Sequence, residues 1–417
     1  MDLEGHLHKG LPPLAAPLAS EEVGRRGWNA LGGDLPFPVF LLRDADLRHN
    51  QEAMSRFAAD QGVRLAPHGK TTMSRQLIRR QLDAGVWGIT AANPTQARAM
   101  RSFGARRVLI ANQVVDPVGL RWMAAEMTAH PEAWIACLVD SLRGVELMSE
   151  ALAADPPSRP LPVFVELGIP GHRTGCRTEE EALQVAAAIG RAPHLQLVGV
   201  EGYEGVLGHD AEPATLAHVD EFLGRVRHLL LALAERGDFG GLDEILVTAG
   251  GSLYFDRVAA VLGGDWGLAQ PVALVMRGGC YLTQDHGDYG LTGPLGHRAG
   301  GPPLRPAMEV WGLVHSRPEP ELALLGFGKR DVSYDSGMPK PLRVRSRDGA
   351  IREATGMTVT HLNDQHGYLH LPAGDPLQVG DLVCVGPLHP CTVFDKWRAI
   401  PIVDEDYRVL ELAETEF

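Results

Sequence analysis

The chain has 417 residues, a formal net charge of −13, 45% hydrophobic residues and 48 glycines. That apolar content supports a full core and excludes general disorder, and the length fits two domains or one large barrel with an appendage. The acidic balance, with no basic run or aromatic–basic stripe, argues against nucleic acid or an anionic membrane as a partner, and no apolar run approaches the roughly 18–20 residues of a membrane span.

Five cysteines (Cys137, Cys176, Cys280, Cys384 and Cys391) are scattered, with no C-x-x-C, which suits a reducing compartment better than a disulfide framework. The amino terminus carries Asp2 and Glu4 and lacks a long apolar core, so it does not read as a secretory signal. The expectation is a soluble, cytoplasmic protein.

Residues 1–36 are rich in Gly, Pro and Leu without a steady period and read as an arm, packed on a later part of the chain. Residues 38–42 read as a short strand, and 45–60 as an amphipathic helix with Leu47, Met54 and Phe57 on one face. An alternation follows. Strands are predicted at 63–66, 87–91, 107–111, 134–139, 162–167, 195–200, 244–248 and 271–276, and helices at 72–84, 94–103, 117–129, 142–154, 178–190, 214–236 and 253–262. At the second of these helices Asn93 caps, Pro94 takes the first helical position, and Ala97 and Met100 lie on the apolar side.

Eight strands separated by helices, with 45–60 closing the ring, predict an α/β fold of the (β/α)8 TIM-barrel type. A doubly wound open sheet uses the same alternation but gathers its chemistry at one switch point. Here candidate chemistry recurs at several strand ends, which favours the barrel. Prolines at 294, 302, 303 and 306 mark a boundary, and strand-like runs follow at 308–315, 322–326, 342–345, 357–361, 367–371, 382–385 and 399–403 with no helix among them. The predicted layout is an arm over 1–36, a barrel over 37–295 and a carboxyl-terminal β domain over 296–417.

Lys70 ends the first barrel strand on a Gly-hinged turn, with Thr71 or Thr72 as the expected helix cap. A lysine at that place points into the mouth where such barrels keep their ligands. It can hold a phosphate as an ammonium, form a Schiff base with a carbonyl as an amine, or be a plain surface residue. The loop after the fifth strand carries Arg173, and the loop after the sixth presents Tyr203. Gly250, Gly251 and Ser252 follow the seventh strand, while Gly278, Gly279 and Cys280 follow the eighth. Consecutive glycines there let backbone N–H groups close on phosphate oxygens, and loops after strands seven and eight are the usual phosphate site of these barrels. A tight turn is the simpler reading of any one of them.

Together, Pro67-His-Gly-Lys-Thr71, Arg173 in Gly-His-Arg-Thr-Gly175, Tyr203, Arg277-Gly-Gly-Cys-Tyr281 and His389-Pro-Cys391 resemble the fold-type III pyridoxal 5′-phosphate (PLP) enzymes. The branch is that of D-serine dehydratase and D-threonine aldolase, with alanine racemase more distant. The resemblance covers nearly the whole chain. It implies that Lys70 carries PLP and moves the Cα proton, that Arg173 lies near the cofactor's phenolic oxygen, and that Tyr203 faces the pyridine nitrogen. A neutral tyrosine there makes a weaker electron sink than a carboxylate-paired pyridinium. Gly250, Gly251, Ser252, Gly279, Cys280 and Tyr281 are the implied cofactor contacts. The family's usual Pro and Thr are replaced by Gly278 and Cys280.

His389 and Cys391, at i and i+2, would point the same way if they lay on a strand, and a thiolate–imidazole pair favours zinc over magnesium. The resemblance makes them ligands of Zn2+ or another divalent cation, with His and Cys found here in the dehydratases and His and Asp in the aldolases. His366 matches a site histidine of the family and is a candidate catalytic residue. His370 reads as structural, and His68 as a turn residue or a support for Lys70. The resemblance further implies a homodimer with the β domain at a two-fold interface, and a small D-amino acid as substrate. The expected activity is dehydration and deamination of a D-3-hydroxy amino acid. Aldol cleavage is the alternative within the family, and a non-catalytic PLP-binding protein the alternative outside catalysis. Such proteins lack the β domain and the metal pair. A racemase would need a second base and has no use for His389 and Cys391.

Overall fold

Arg64–Leu65, Ile89–Ala91, Arg107–Gln113, Trp134–Val139, Leu161–Leu167, Leu195–Gly202, Ile245–Ala249 and Val272–Met276 run parallel and neighbour one another in chain order. The first also pairs with the eighth through Val275↔Arg64 and Met276↔Leu65, and a parallel bridge between His68 and Thr90 links it to the second. The ring is therefore nearly closed. The structure, a computed structural model, describes residues 2, 3, 8–13 and 18–417. Among these residues no helix is long and apolar enough to cross a membrane. All five cysteines are free thiols.

The strands read as near-continuous apolar runs because both of their faces are buried. One face, with Leu109, Leu138, Phe164, Val198, Leu246 and Val275, fills the barrel. The other, with Val108, Ile110, Val163 and Val165, packs under the helices. Trp87 and Trp134 meet edge-on at 5.2 Å among the inner residues at the amino ends of their strands. The opposite, carboxyl-end mouth is left for a ligand.

Helices follow the strands at Arg75–Asp83, Pro94–Ser102, Pro117–Ala129, Leu142–Ala153, Glu179–Arg191, Pro213–Glu235 and Phe255–Leu262, and Asp44–Gln61 precedes the first barrel strand. Asn93 caps its helix, accepting Gln96 N–H at 2.9 Å. The cap expected at Thr71 or Thr72 is not used. Gly69–Thr71 is a single 3-10 turn, Met73 takes a positive φ of 43°, and the helix starts only after Ser74.

The second region is a ten-stranded sheet, and it takes one strand from the start of the chain. Val39–Arg43 pairs antiparallel with Met308–Glu319 and parallel with Ala399–Val403. Phe40 and Leu42 pack into the large core, while Val39 and Leu41 pack with Trp311 and Leu382 in a second one. The expected barrel region thus contributes its first strand to the other sheet. Strands at Ile351–Glu353 and Val409–Glu414 also escaped the sequence reading. Of the arm over 1–36, residues 1, 4–7 and 14–17 lie outside the described residues. Its described part contacts loops of the second region: Lys9 Nζ donates to Asp331 Oδ1 at 2.9 Å, and Asn29 Nδ2 to the Asp406 carbonyl at 2.8 Å.

Candidate active site

Lys70 sits on its 3-10 turn at the carboxyl end of the barrel and lines a cavity of about 180 Å³. Apart from Tyr281 and His366, every candidate named from the sequence lines the same cavity. His68 forms part of the wall behind Lys70. It is half-buried, and desolvation together with the positive Lys70 and Arg277 holds its imidazole well below the usual range, so it is neutral. The loop after the eighth strand approaches this turn so closely that a Cβ on Gly279 would lie 2.5 Å from the His68 carbonyl. Glycine is required there by space.

The loop carrying Arg173 is exposed but pinned. Thr174 donates to Glu166 Oε1 at 3.0 Å, Gly175 N–H to Asp140 Oδ2 at 3.0 Å, and Arg177 donates to the carbonyls of His172 and Thr174 at 3.0 and 3.1 Å. The Arg173 guanidinium lies 4.2 Å from the centre of the Tyr203 ring. Burial, then the neighbouring Glu204, pushes the Tyr203 phenol up, so it keeps its proton at neutral pH.

Gly250, at φ 120°, turns the chain after the seventh strand in a way only glycine does readily. Cys280 N–H donates to Ser252 Oγ at 3.3 Å, which joins the two glycine loops. The Gly251 amide, expected to be free for phosphate, instead donates to Glu204 Oε1 at 2.8 Å. Beneath the cavity, Arg277 donates to buried Glu201 and to the Gly202 carbonyl at 3.3 Å. Burial pushes the Glu201 carboxyl up to about 8 against the pull of Arg277. Arg277 Nε, Glu201 Oε2, Glu204 Oε2 and His68 Nδ1 are buried without a hydrogen-bond partner. Such orphaned groups around a glycine-walled cavity fit a polar cofactor with a phosphate.

Tyr281 points away from the cavity, and its hydroxyl accepts Gln81 Nε2 at 3.0 Å. Cys280–Leu282 is a 3-10 turn, which sends successive side chains about 120° apart, so Cys280 can face the cavity only if Tyr281 does not. His366 does not join the cavity either. It is exposed on the turn between Thr358–Leu362 and Gly367–His370, where its carbonyl accepts Asn363 N–H at 2.9 Å.

His389 and Cys391 reach the cavity from the second domain, on a turn and not on a strand. Pro390 has helical angles of −58° and −47° and begins the short helix Cys391–Phe394, which removes the i, i+2 alternation on which the sequence reading relied. Cys391 Sγ lies 3.5 Å from Thr71 Oγ1, and Cys280 and His389 line the cavity beside it. The Cys280 contact, then His389, holds Cys391 well below the usual thiol range despite burial. Cys391, followed by Asp335, raises His389 to about 9. A low-pKa thiolate beside an imidazole is a donor pair suited to zinc. Among the described residues no three His, Cys, Asp or Glu side chains converge as a metal cluster. Two such donors alone would leave coordination positions of an ion open to water and substrate.

Residues 43–237 match the family described as "Alanine racemase, N-terminal domain", and residues 307–403 match the "Putative serine dehydratase domain". The chain is 27% identical to the 3-hydroxy-D-aspartate aldolase of Paracoccus denitrificans over 371 residues, 87% of this chain and 88% of that protein. It is 27% identical to the D-threo-3-hydroxyaspartate dehydratase of Delftia sp. over 342 residues, 80% of this chain and 83% of that one. The solved D-threonine aldolase of Filomicrobium marinum superposes with a TM-score of 0.75 at 25% identity, covering 92% of this chain and 95% of its own. The chain belongs to the fold-type III PLP-dependent family.

Several residues of this fold-type III site carried no signal that singled them out in the sequence. Glu201 and Glu204 flank Tyr203 in Glu-Gly-Tyr-Glu-Gly205, and their partners lie far along the chain, at Arg277 and Gly251. Tyr289 lines the cavity from a five-residue helix, Asp288–Thr292, too short to show a period. Asp335 stands behind His389 in a loop that nothing in the sequence connects to it.

Proposed function

We propose that the protein is a PLP-dependent, metal-assisted lyase that takes a D-3-hydroxy amino acid, D-serine or a close analogue, to a 2-oxo acid and ammonia. The observation that carries this reading is that barrel Lys70 and the second domain's His389 and Cys391 line one cavity. When bound, PLP supplies an aldehyde for the substrate amine and a π-system that spreads the electron pair left at Cα.

Lys70 would hold the cofactor and move the Cα proton. Neutral His68 behind it adds no competing positive charge to the amine. Arg173, held over the Tyr203 ring, would face the phenolic oxygen. Tyr203, which keeps its proton, would meet the ring nitrogen with a neutral group and leave the electron sink weak. That suits expulsion of a β-substituent without long-lived charge at Cα. Ser252, with the loop of Gly279 and Cys280, would close on the phosphate. A divalent ion on His389 and Cys391 supplies a Lewis acid for the β-hydroxyl, a poor leaving group by itself, an effect of several kcal/mol.

A second reading, aldol cleavage, is favoured by the aldolases among the relatives. The His–Cys pair supports dehydration, because the resembling aldolases carry Asp in place of the Cys. Purified protein incubated separately with D-serine and D-threonine decides between them. We expect ammonia and pyruvate from D-serine, lost on chelation and restored by zinc. Glycine and acetaldehyde as the main products from D-threonine would overturn the dehydratase reading.

A further inference from the structure

The loop after the strand Leu322–Leu325 holds His389 from behind. His389 N–H donates to Ser333 Oγ at 3.3 Å. Asp335 Oδ2 accepts His389 Nδ1 at 2.5 Å, and Asp335 Oδ1 accepts the Thr392 hydroxyl at 2.6 Å. One carboxylate thus grips the residues on both sides of the turn that presents Cys391. The Asp335 side chain is 44% exposed and that of His389 31%, so the pair is not one on which the core depends. Ion pairs this exposed contribute little to stability, typically about 0–1 kcal/mol. The carboxylate has a sharper effect on the imidazole. With Nδ1–H donated to Asp335, the tautomer is fixed, and the proton that an incoming metal displaces is the one on Nε2.

We propose that Asp335 is the positioning residue of the metal pair: it fixes His389 with Nε2 available to the ion and, through Thr392, steadies the turn that carries Cys391. This inference rests on the metal-assisted reading above. It assigns a role to a residue that touches neither cofactor nor substrate.

The test uses full-length PLP-loaded enzyme, stripped of metal with a chelator and titrated with zinc against a chromophoric competitor. Asp335→Ala, Asp335→Asn and Cys391→Ala are compared with wild type, and the visible cofactor band reports an intact barrel. We expect Asp335→Ala to weaken zinc by about 10–100-fold, and Asp335→Asn by less because its amide oxygen still accepts Nδ1–H. Turnover by both Asp335 variants should recover at saturating zinc, with only the half-activating zinc concentration shifted. Wild-type zinc affinity in both variants would overturn the inference. So would a loss of kcat that zinc does not restore, since that places Asp335 in the chemistry itself. Cys391→Ala separates the two levels. If it loses zinc while the Asp335 variants keep it, only this inference falls; if wild type takes up no zinc, the metal-assisted reading falls with it.

Discussion

Glu201 carries the least ordinary protonation in the cavity floor, and its consequence for stability can be worked out by sign. The carboxyl has an ordinary value of 4.5 and is raised to about 8 in the fold, mainly by burial. Between those values the unfolded chain has released a proton that the folded protein still holds. Stability contributed at this site is therefore fully present below the lower value, falls as pH rises through the window, and is flat above it. Glu201→Gln keeps a hydrogen-bond acceptor for Arg277 and removes the titration. We expect the variant to lose less thermal stability than wild type from the bottom to the top of that window, with a difference on the order of a few kcal/mol. Parallel pH profiles for the two proteins would contradict the assignment.

Phe40 shows how the elements hold the turn of His389 and Cys391 in place. It lies on Val39–Arg43, fully buried, with its ring edge-on to Phe394 at 5.3 Å and 6.1 Å from Trp397. Phe394 closes the four-residue helix that begins at Cys391, so a strand from the start of the chain supports the His389–Cys391 turn from beneath. Phe40→Ala should cost about 3–5 kcal/mol in urea melts, and it should also reduce zinc retention. A loss under about 1 kcal/mol would show that the ring is not part of this support.

The barrel strands and most of their helices were legible because their signals are local: apolar runs bounded by caps such as Asn93 and Pro94. Val39–Arg43 was legible as a strand but not as a member of the second sheet, since a run buried on both faces carries no mark of its partners. Lys70, Arg173, Tyr203 and the glycine loops were legible because each sits where a strand ends. Tyr281 was misplaced because a 3-10 turn rotates each neighbour away from the last. His389 and Cys391 were found as a pair, but their strand geometry was wrong because Pro390 is helical. Glu201, Glu204 and Asp335 depend on contacts between distant segments, and only the folded chain supplies those.

Across the whole molecule, the two regions are tied together at the turn that bears Lys70. Glu416 N–H donates to the Met73 carbonyl at 2.9 Å, Glu414 N–H to Gln76 Oε1 at 3.0 Å, and Arg75 reaches Glu416 at 3.2 Å. Arg80 bridges Asp44 and Glu411, and Cys391 reaches Thr71. The last strand of the second sheet thus buttresses the helix that follows Lys70. We expect one unfolding transition, with far-UV circular dichroism and tryptophan fluorescence coincident in urea. Two separated transitions would show the regions to be independent. The central claim is that the Lys70 cavity holds PLP covalently and does chemistry there. It is tested most directly by adding PLP, recording the visible absorption band, reducing with borohydride and mapping the modified peptide by mass. The account predicts a band that borohydride abolishes and a pyridoxyl mass fixed on the Lys70 peptide, both absent in Lys70→Ala. A protein that stays colourless with added PLP, or a label on a different lysine, would contradict it.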